Sequence, residues 1–289
     1  MGSQQRGSLA DANHNIVRRT ARNGDFDRYL AALFAPEPAR GDLIALIAFN
    51  AEVAQIADRV SEPDLGEIRL QWWRDALDTL LAGEGTDNPI ADALGPMVAE
   101  QSNMVPLLKG MIDARSFDVS GGQMPDMPAL RAYLHKTAGT LFLMGVRLLA
   151  GRDIEAEHAV ADAGLAFGFT GLLRALPVHL ARGRQFLPRT LLAEHGIDPN
   201  EVLKSDETLR IREMMEAVGA EARDALARAR QALGGASAAA RPAFLSLVLV
   251  EPYLAALRHR RHRPLQQVAD ISPLNRYGRL AWAAISGRI

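Results

Sequence analysis

Apolar residues three and four apart recur along this whole chain, with no alternating stretch among them, and that leaves it little to fold into except packed helices. Leu43, Ile44, Leu46, Ile47, Val53 and Ile56 make one such stripe, entered after Pro36 and Pro38. Others run over 68–81, 105–117, 129–149, 156–180, 208–233 and 238–257, and each is expected to be core. Turn-formers separate them: Gly83-Glu84-Gly85, Ser120-Gly121-Gly122, Gly151-Arg152-Asp153 and Gly234-Gly235-Ala236-Ser237. No Pro/Ser-rich linker and no fixed repeat divides the chain. The reading is therefore an all-α helical bundle forming one domain over 25–289, after an N-terminal segment, 1–24, expected to be partly flexible. A length of 289 residues, 48% of them hydrophobic, suffices for a core of that size.

Charge and composition exclude several classes. Lys+Arg 33 against Asp+Glu 34 gives a net charge of −1, which argues against nucleic acid as a partner. With no cysteine, disulfides, thiolate zinc sites, iron–sulfur clusters and cysteine nucleophiles are all ruled out. There is no phosphate-binding glycine loop and no nucleophile elbow. The longest apolar runs, Leu141–Ala150 and Phe244–Leu257, are broken by Arg147 and by Glu251-Pro252. Both fall short of the ~20 clean residues of a membrane span. The expectation is a soluble, cytoplasmic chain resting at most on a membrane surface. Arg258-His259-Arg260-Arg261-His262-Arg263 is the densest basic run. It suits anionic lipid or an acidic partner, and equally a solvated helix end. His259 and His262 lack a third metal ligand.

Three segments are more specific than a helical period. The first runs from Arg40 through Ala48-Phe49-Asn50-Ala51-Glu52-Val53-Ala54-Gln55-Ile56-Ala57-Asp58 to Leu70-Gln71-Trp72-Trp73-Arg74. The second is Leu130-Arg131-Ala132-Tyr133-Leu134 with Ala138-Gly139-Thr140. The third is Gly168–His179 followed by Gly183-Arg184-Gln185-Phe186-Leu187-Pro188. In this order they resemble the squalene/phytoene synthase family, over most of the chain from Phe26 onward. The resemblance implies an isoprenoid-synthase-type helical bundle with a central apolar cavity, two aspartate-rich helices facing each other across its mouth. It also implies a reaction: two prenyl diphosphates are joined head to head after one loses its diphosphate. Magnesium neutralises that leaving polyanion and requires hard oxygen ligands. Two carboxylates at i and i+4 on one helix face aim at the same ions.

The carboxylates are where this chain departs from the family. Its four acid positions hold Ala54, Asp58, Ala175 and His179, so only Asp58 is an acid. The arginine usually ahead of the first pair is Ala51, and the glutamine and asparagine ahead of the second are Gly168 and Gly171. Asp162 lies about 140° around the helix from Ala175. Glu52 is off the face of Ala51, Ala54 and Asp58, and imidazole suits softer metals than magnesium. No cofactor is expected; magnesium enters only if the chain is a prenyl transferase.

What remains is scaffold and basic groups, with Arg40, Asp58, Gly168, Gly171, Arg174 and Arg184 as candidate head-group or cavity contacts. Arg174 and Arg184 either fork onto an anionic head group or pair with carboxylates of neighbouring helices, the commoner arrangement. Gly164, Gly168, Gly171 and Ala175 lie within about 60° on one helix face. Either a second helix packs close against that stripe or a cavity stays open for a lipid tail.

A narrower resemblance rests on Ala48–Gln55, Val60-Ser61-Glu62, Arg69–Trp73, Leu173–His179, Phe186-Leu187-Pro188 and Glu194-His195-Gly196. These are similar to the branch of the family containing the squalene/phytoene-synthase-like assembly factor of mitochondrial respiratory complex I, which also lacks the full aspartate motifs. Three functions follow. The preferred one is a non-catalytic binding or assembly factor, peripheral at the inner membrane face through Arg258, Arg260, Arg261 and Arg263 and meeting a membrane-complex assembly intermediate. The others are a magnesium-dependent prenyl transferase using farnesyl or geranylgeranyl diphosphate, and a prenyl-lipid binding protein.

Overall fold

A computed structural model describes residues 2–198, 202 and 209–289, with side chains from Asp11 onward. Thr208, the expected start of one stripe, lies outside the described residues. No strand occurs among those described, so the all-α expectation holds. The chain divides into two compact units, 1–119 and 120–289.

The first unit contains α1 (Gly2–Gly24), α2 (Phe26–Ala32), α3 (Ala39–Ala54), a 3₁₀ turn (Ile56–Asp58), α4 (Pro63–Leu81), α5 (Pro89–Asp92), α6 (Gly95–Glu100) and α7 (Val105–Ser120). Its centre is α3, in which Leu43 to Phe49 are all buried. A helix apolar on every side has to be surrounded, and α1, α2 and α5 pack on it. The segment set apart as 1–24 is thus helical, with Val17 and Ala21 buried. Phe49 meets the edge of the Trp73 ring at 5.2 Å, joining α3 to α4. The stripe over 68–81 is not all core, however. Gly66, Leu70, Trp73, Leu77 and Leu80 are buried, whereas Leu65, Ile68 and Trp72 are exposed. The helix carries two apolar faces, and the fold covers one of them.

The second unit contains α8 (Met127–Leu134), a π-helical turn (His135–Gly139), α9 (Thr140–Ala150), α10 (Ile154–Ala181), α11 (Arg189–Glu194), α12 (Leu209–Ala232), a 3₁₀ stretch (Arg241–Leu249), α13 (Val250–Leu257) and α14 (Pro273–Ser286). Its spine is α10 against α12. By length and composition α10 could cross a membrane, yet 56% of its most apolar window is buried inside the protein. A search for unbroken apolar runs passes over it, because Asp162 and Arg174 interrupt the sequence; both pair within this unit, and α10 is a core helix.

Two stretches expected as continuous helices are broken. Over 129–149 the π turn intervenes. Over 238–257 a 3₁₀ stretch precedes α13, and Phe244 to Val250 are buried without exception. Tertiary packing on all sides overrides the α period there. Gly287, at φ 67°, ends α14, and its carbonyl accepts a bond from the Arg241 guanidinium.

Candidate functional site

The first acid pair belongs to the end of α3. That helix stops at Ala54, Gln55 caps it, and Asp58 sits in the following 3₁₀ turn. Ala54 and Asp58 therefore do not share one α-helical face, contrary to the expected i, i+4 arrangement. Asp58 is exposed. Beside it, Arg59 closes the turn by gripping Glu52 at 2.6 and 3.2 Å and Gln55 at 2.7 Å. The Glu52 carboxylate, bonded to the Arg59 guanidinium, raises its pKa above the ordinary value. Glu52 is thus engaged in an ion pair within the turn. Ala51 explains the missing arginine: it is buried, and a Cβ placed on Gly24 would stand 2.2 Å from its own. The end of α1 occupies the space that an arginine at 51 would need.

The second acid pair lies on α10, in the other unit. Here the glycine stripe divides. A Cβ on Gly164 would stand 2.6 Å from the Gly139 Cα and 2.7 Å from its nitrogen. On Gly168 it would stand 2.7 Å from Leu134 Cδ2, so Leu134 fills the space of the absent glutamine. On Gly171 it would meet nothing within 4 Å. Close packing therefore accounts for two of the glycines, and the third faces open space. Ala175 is half-buried. His179 turns its ring edge toward Phe186 at 4.7 Å, and Phe186 in turn meets Tyr133 at 5.7 Å. The acid position is thus part of an aromatic cluster. Asp162 pairs with Arg228 at 2.9 Å. Burial lowers the pKa of His135, in the π turn, against an opposing pull from Asp162.

The basic candidates are engaged in the fold. Arg40 bonds the Ala35 carbonyl at 2.9 Å and pairs with Glu37 at 3.2 Å. Arg174 lays its guanidinium over the Tyr253 ring, 3.4 Å from the centroid, and donates to the Ala269 carbonyl at 3.1 Å. It also pairs with Asp270 at 4.0 Å. Buried Arg276 completes this group by donating to the Tyr253 hydroxyl at 2.9 Å and pairing with Asp270. Arg184 is half-buried, and its peptide N–H bonds the His179 carbonyl after Gly183 at φ 69°. Sequence reasoning missed Tyr253, Asp270 and Arg276, which no motif quoted above includes; a lone Tyr between apolar residues was their only signal.

These groups do not fit magnesium. One exposed carboxylate, two alanines and an imidazole against an aromatic ring are not a hard-oxygen set. Among the described residues, no three His, Asp or Glu side chains gather in a group able to hold a metal.

A profile of the family described as Squalene/phytoene synthase matches residues 21–275. The chain belongs to that family. A Mus musculus relative named NADH dehydrogenase (ubiquinone) complex I, assembly factor 6, is 30% identical over 269 residues, spanning 92% of this chain and 81% of its own. A phytoene synthase of Rhodobacter capsulatus is 25% identical over 209 residues, spanning 72% and 62%. The crystal structure of a dehydrosqualene synthase in complex with ligand superposes with a TM-score of 0.83 at 17% identity, covering 97% of this chain and 98% of that one. That likeness establishes the isoprenoid-synthase fold. Squalene/phytoene synthase family membership thus spans proteins named for prenyl chemistry and proteins named for complex assembly. In this chain three motif positions are closely met by other groups: Gly24 at Ala51, Leu134 at Gly168, and Phe186 at His179.

Proposed function

We propose that this chain is a non-catalytic squalene/phytoene synthase family member that serves as a binding factor in the assembly of a respiratory membrane complex. The observation that carries the reading is the donor set: three of the four acid positions hold Ala54, Ala175 and His179, and the fourth, Asp58, lies beyond the end of its helix. A relative named as an assembly factor, matching over 92% of the chain, supports the direction. On this reading the protein needs no resident metal and works from the cytoplasmic side of the inner membrane.

The test has two arms. With farnesyl or geranylgeranyl diphosphate, magnesium and NADPH, the purified protein is expected to release no diphosphate above an enzyme-free blank, beside an active synthase control. Deleting its gene is expected to lower NADH:ubiquinone oxidoreductase activity in membranes while leaving isoprenoid products unchanged. Hydrocarbon product at a rate near the control would overturn the reading in favour of prenyl transfer.

Peripheral contact with an anionic membrane is part of the same proposal. Helix α14 docks through Arg276, Leu280 and Ala283 and leaves Leu274 (84% exposed), Trp282 (66%) and Ile285 (83%) uncovered, with Tyr277 partly so. An amphipathic helix with large apolar side chains outward and cations beside them fits the headgroup–acyl boundary. From Pro273 to Ile289 the chain has no acid, and Arg279 and Arg288 are exposed, which selects an anionic surface. The exposed basic run supplies further charge. The protein is expected to sediment with phosphatidylglycerol vesicles and not with phosphatidylcholine vesicles, and Leu274→Ser with Trp282→Ser should remove the difference. Unchanged sedimentation of that double variant would place the contact elsewhere.

A further inference from the structure

We propose that the second unit holds a binding pocket for a small amphipathic anion, a carboxylate or phosphate carried on a short aliphatic tail. It lies on the side of α10 away from the glycine stripe, since Leu173 points about 180° from Gly164. The cavity measures about 330 Å³ and is built from α10, α12 and α13. That is within the range that encloses a small ligand. Its floor is apolar: Leu173, Met215, Leu254 and Leu257 are all buried. Gly219 of α12 adds depth, because any larger side chain at that position would project into the cavity toward Leu254 and Leu173.

The rim is charged, with arginines in the majority. Three guanidiniums, Arg212, Arg223 and Arg258, face two carboxylates, Glu213 and Glu216. Glu216 is shared, at 2.6 Å from Arg223 and 3.6 Å from Arg258. The other terminal nitrogen of Arg223, Nη1, is buried with no hydrogen-bond partner among the described residues. A buried guanidinium N–H left unbonded is costly, and an anion at the rim would satisfy it. Arg212 donates to the His262 carbonyl at 3.0 Å and so fixes the basic loop over one side of the mouth. Apolar floor and unsatisfied cation together select a head and a tail on one molecule; a bare anion or a bare hydrocarbon would use half of the site.

The probes are decanoate, decyl phosphate, decanol and inorganic phosphate, titrated calorimetrically below any micelle concentration. Decanoate and decyl phosphate are expected to bind, with decanol and inorganic phosphate weaker by about tenfold or more, because each forgoes one set of contacts. Arg223→Gln should weaken decanoate about tenfold, and Gly219→Leu should abolish binding by filling the cavity. Glu216→Gln should tighten decanoate while leaving decanol unchanged, since it releases two guanidiniums to the anion. Arg223 and Glu216 are partly exposed, so their variants keep the test valid if Gly219→Leu fails to fold. No binding of any probe to the folded protein would overturn the proposal. So would decanoate affinity that Arg223→Gln and Glu216→Gln leave unchanged, and inorganic phosphate binding as tightly as decyl phosphate would reduce the site to one for free anion alone.

Discussion

Alanine at Gly164 is expected to destabilise the protein by about 2–3 kcal/mol, whereas alanine at Gly171 is expected to stabilise it by about 0.5–1 kcal/mol. Both glycines lie on one face of α10, and sequence alone treats them alike. The difference comes from what each one meets. At Gly164 the new methyl would stand 2.6 Å from the Gly139 Cα, and backbone cannot step aside as a side chain can. The π turn His135–Gly139 would have to shift, carrying buried Thr137 with it. At Gly171 nothing stands within 4 Å, so alanine only removes the entropic penalty of glycine in a helix. Gly168→Ala should fall between, because Leu134 can rotate part of the way clear. Urea unfolding followed by circular dichroism would measure all three. Equal losses at 164 and 171 would mean that α10 does not approach the π turn as described.

Tyr253→Ala is expected to cost about 3–5 kcal/mol, and Tyr253→Phe about 1–2 kcal/mol. The tyrosine is 2% exposed and serves two arginines at once. Its ring lies under the Arg174 guanidinium, and its hydroxyl accepts from Arg276. Phenylalanine keeps the first contact and loses the second; alanine loses both and leaves a cavity. The pair also tests the assignment of Arg174. An arginine held in reserve for an anionic head group would lose little when its ring is removed, and Tyr253→Ala would then resemble an ordinary core truncation with Arg174→Ala neutral. If Arg174 is a structural prop, Arg174→Ala and Tyr253→Ala should be strongly non-additive in a double-mutant cycle.

The helical class was legible because periodicity is a local property, and Ala54, Ala175 and His179 were legible as non-acids at the positions the resemblance assigns to carboxylates. What could not be read was anything set by a partner far along the chain. The glycine stripe left two readings open, and the answer came from Gly139 and Leu134, whose approach to α10 no spacing rule encodes. Arg174 was weighed between a ligand and a carboxylate; beside Asp270 at 4.0 Å it takes an aromatic ring and a backbone carbonyl, a grouping visible only once α13 and the segment at Ala269 lie beside α10. Ile68 and Trp72 were read as core because an apolar stripe does not state how much of itself will be covered. The stop of α3 at Ala54 was also hidden, since nothing between Ala54 and Asp58 is a helix breaker.

That stop bears on how this lineage can change. Were side chains alone at issue, three replacements, at Ala54, Ala175 and His179, would place acids at all four positions. Here the backbone differs as well: α3 ends at Ala54, Asp58 lies in the following turn, the Arg59 grip on Glu52 and Gln55 holds that end in place, and Gly24 of α1 stands against Ala51. Side-chain replacement alone would therefore not set the first pair on one helical face.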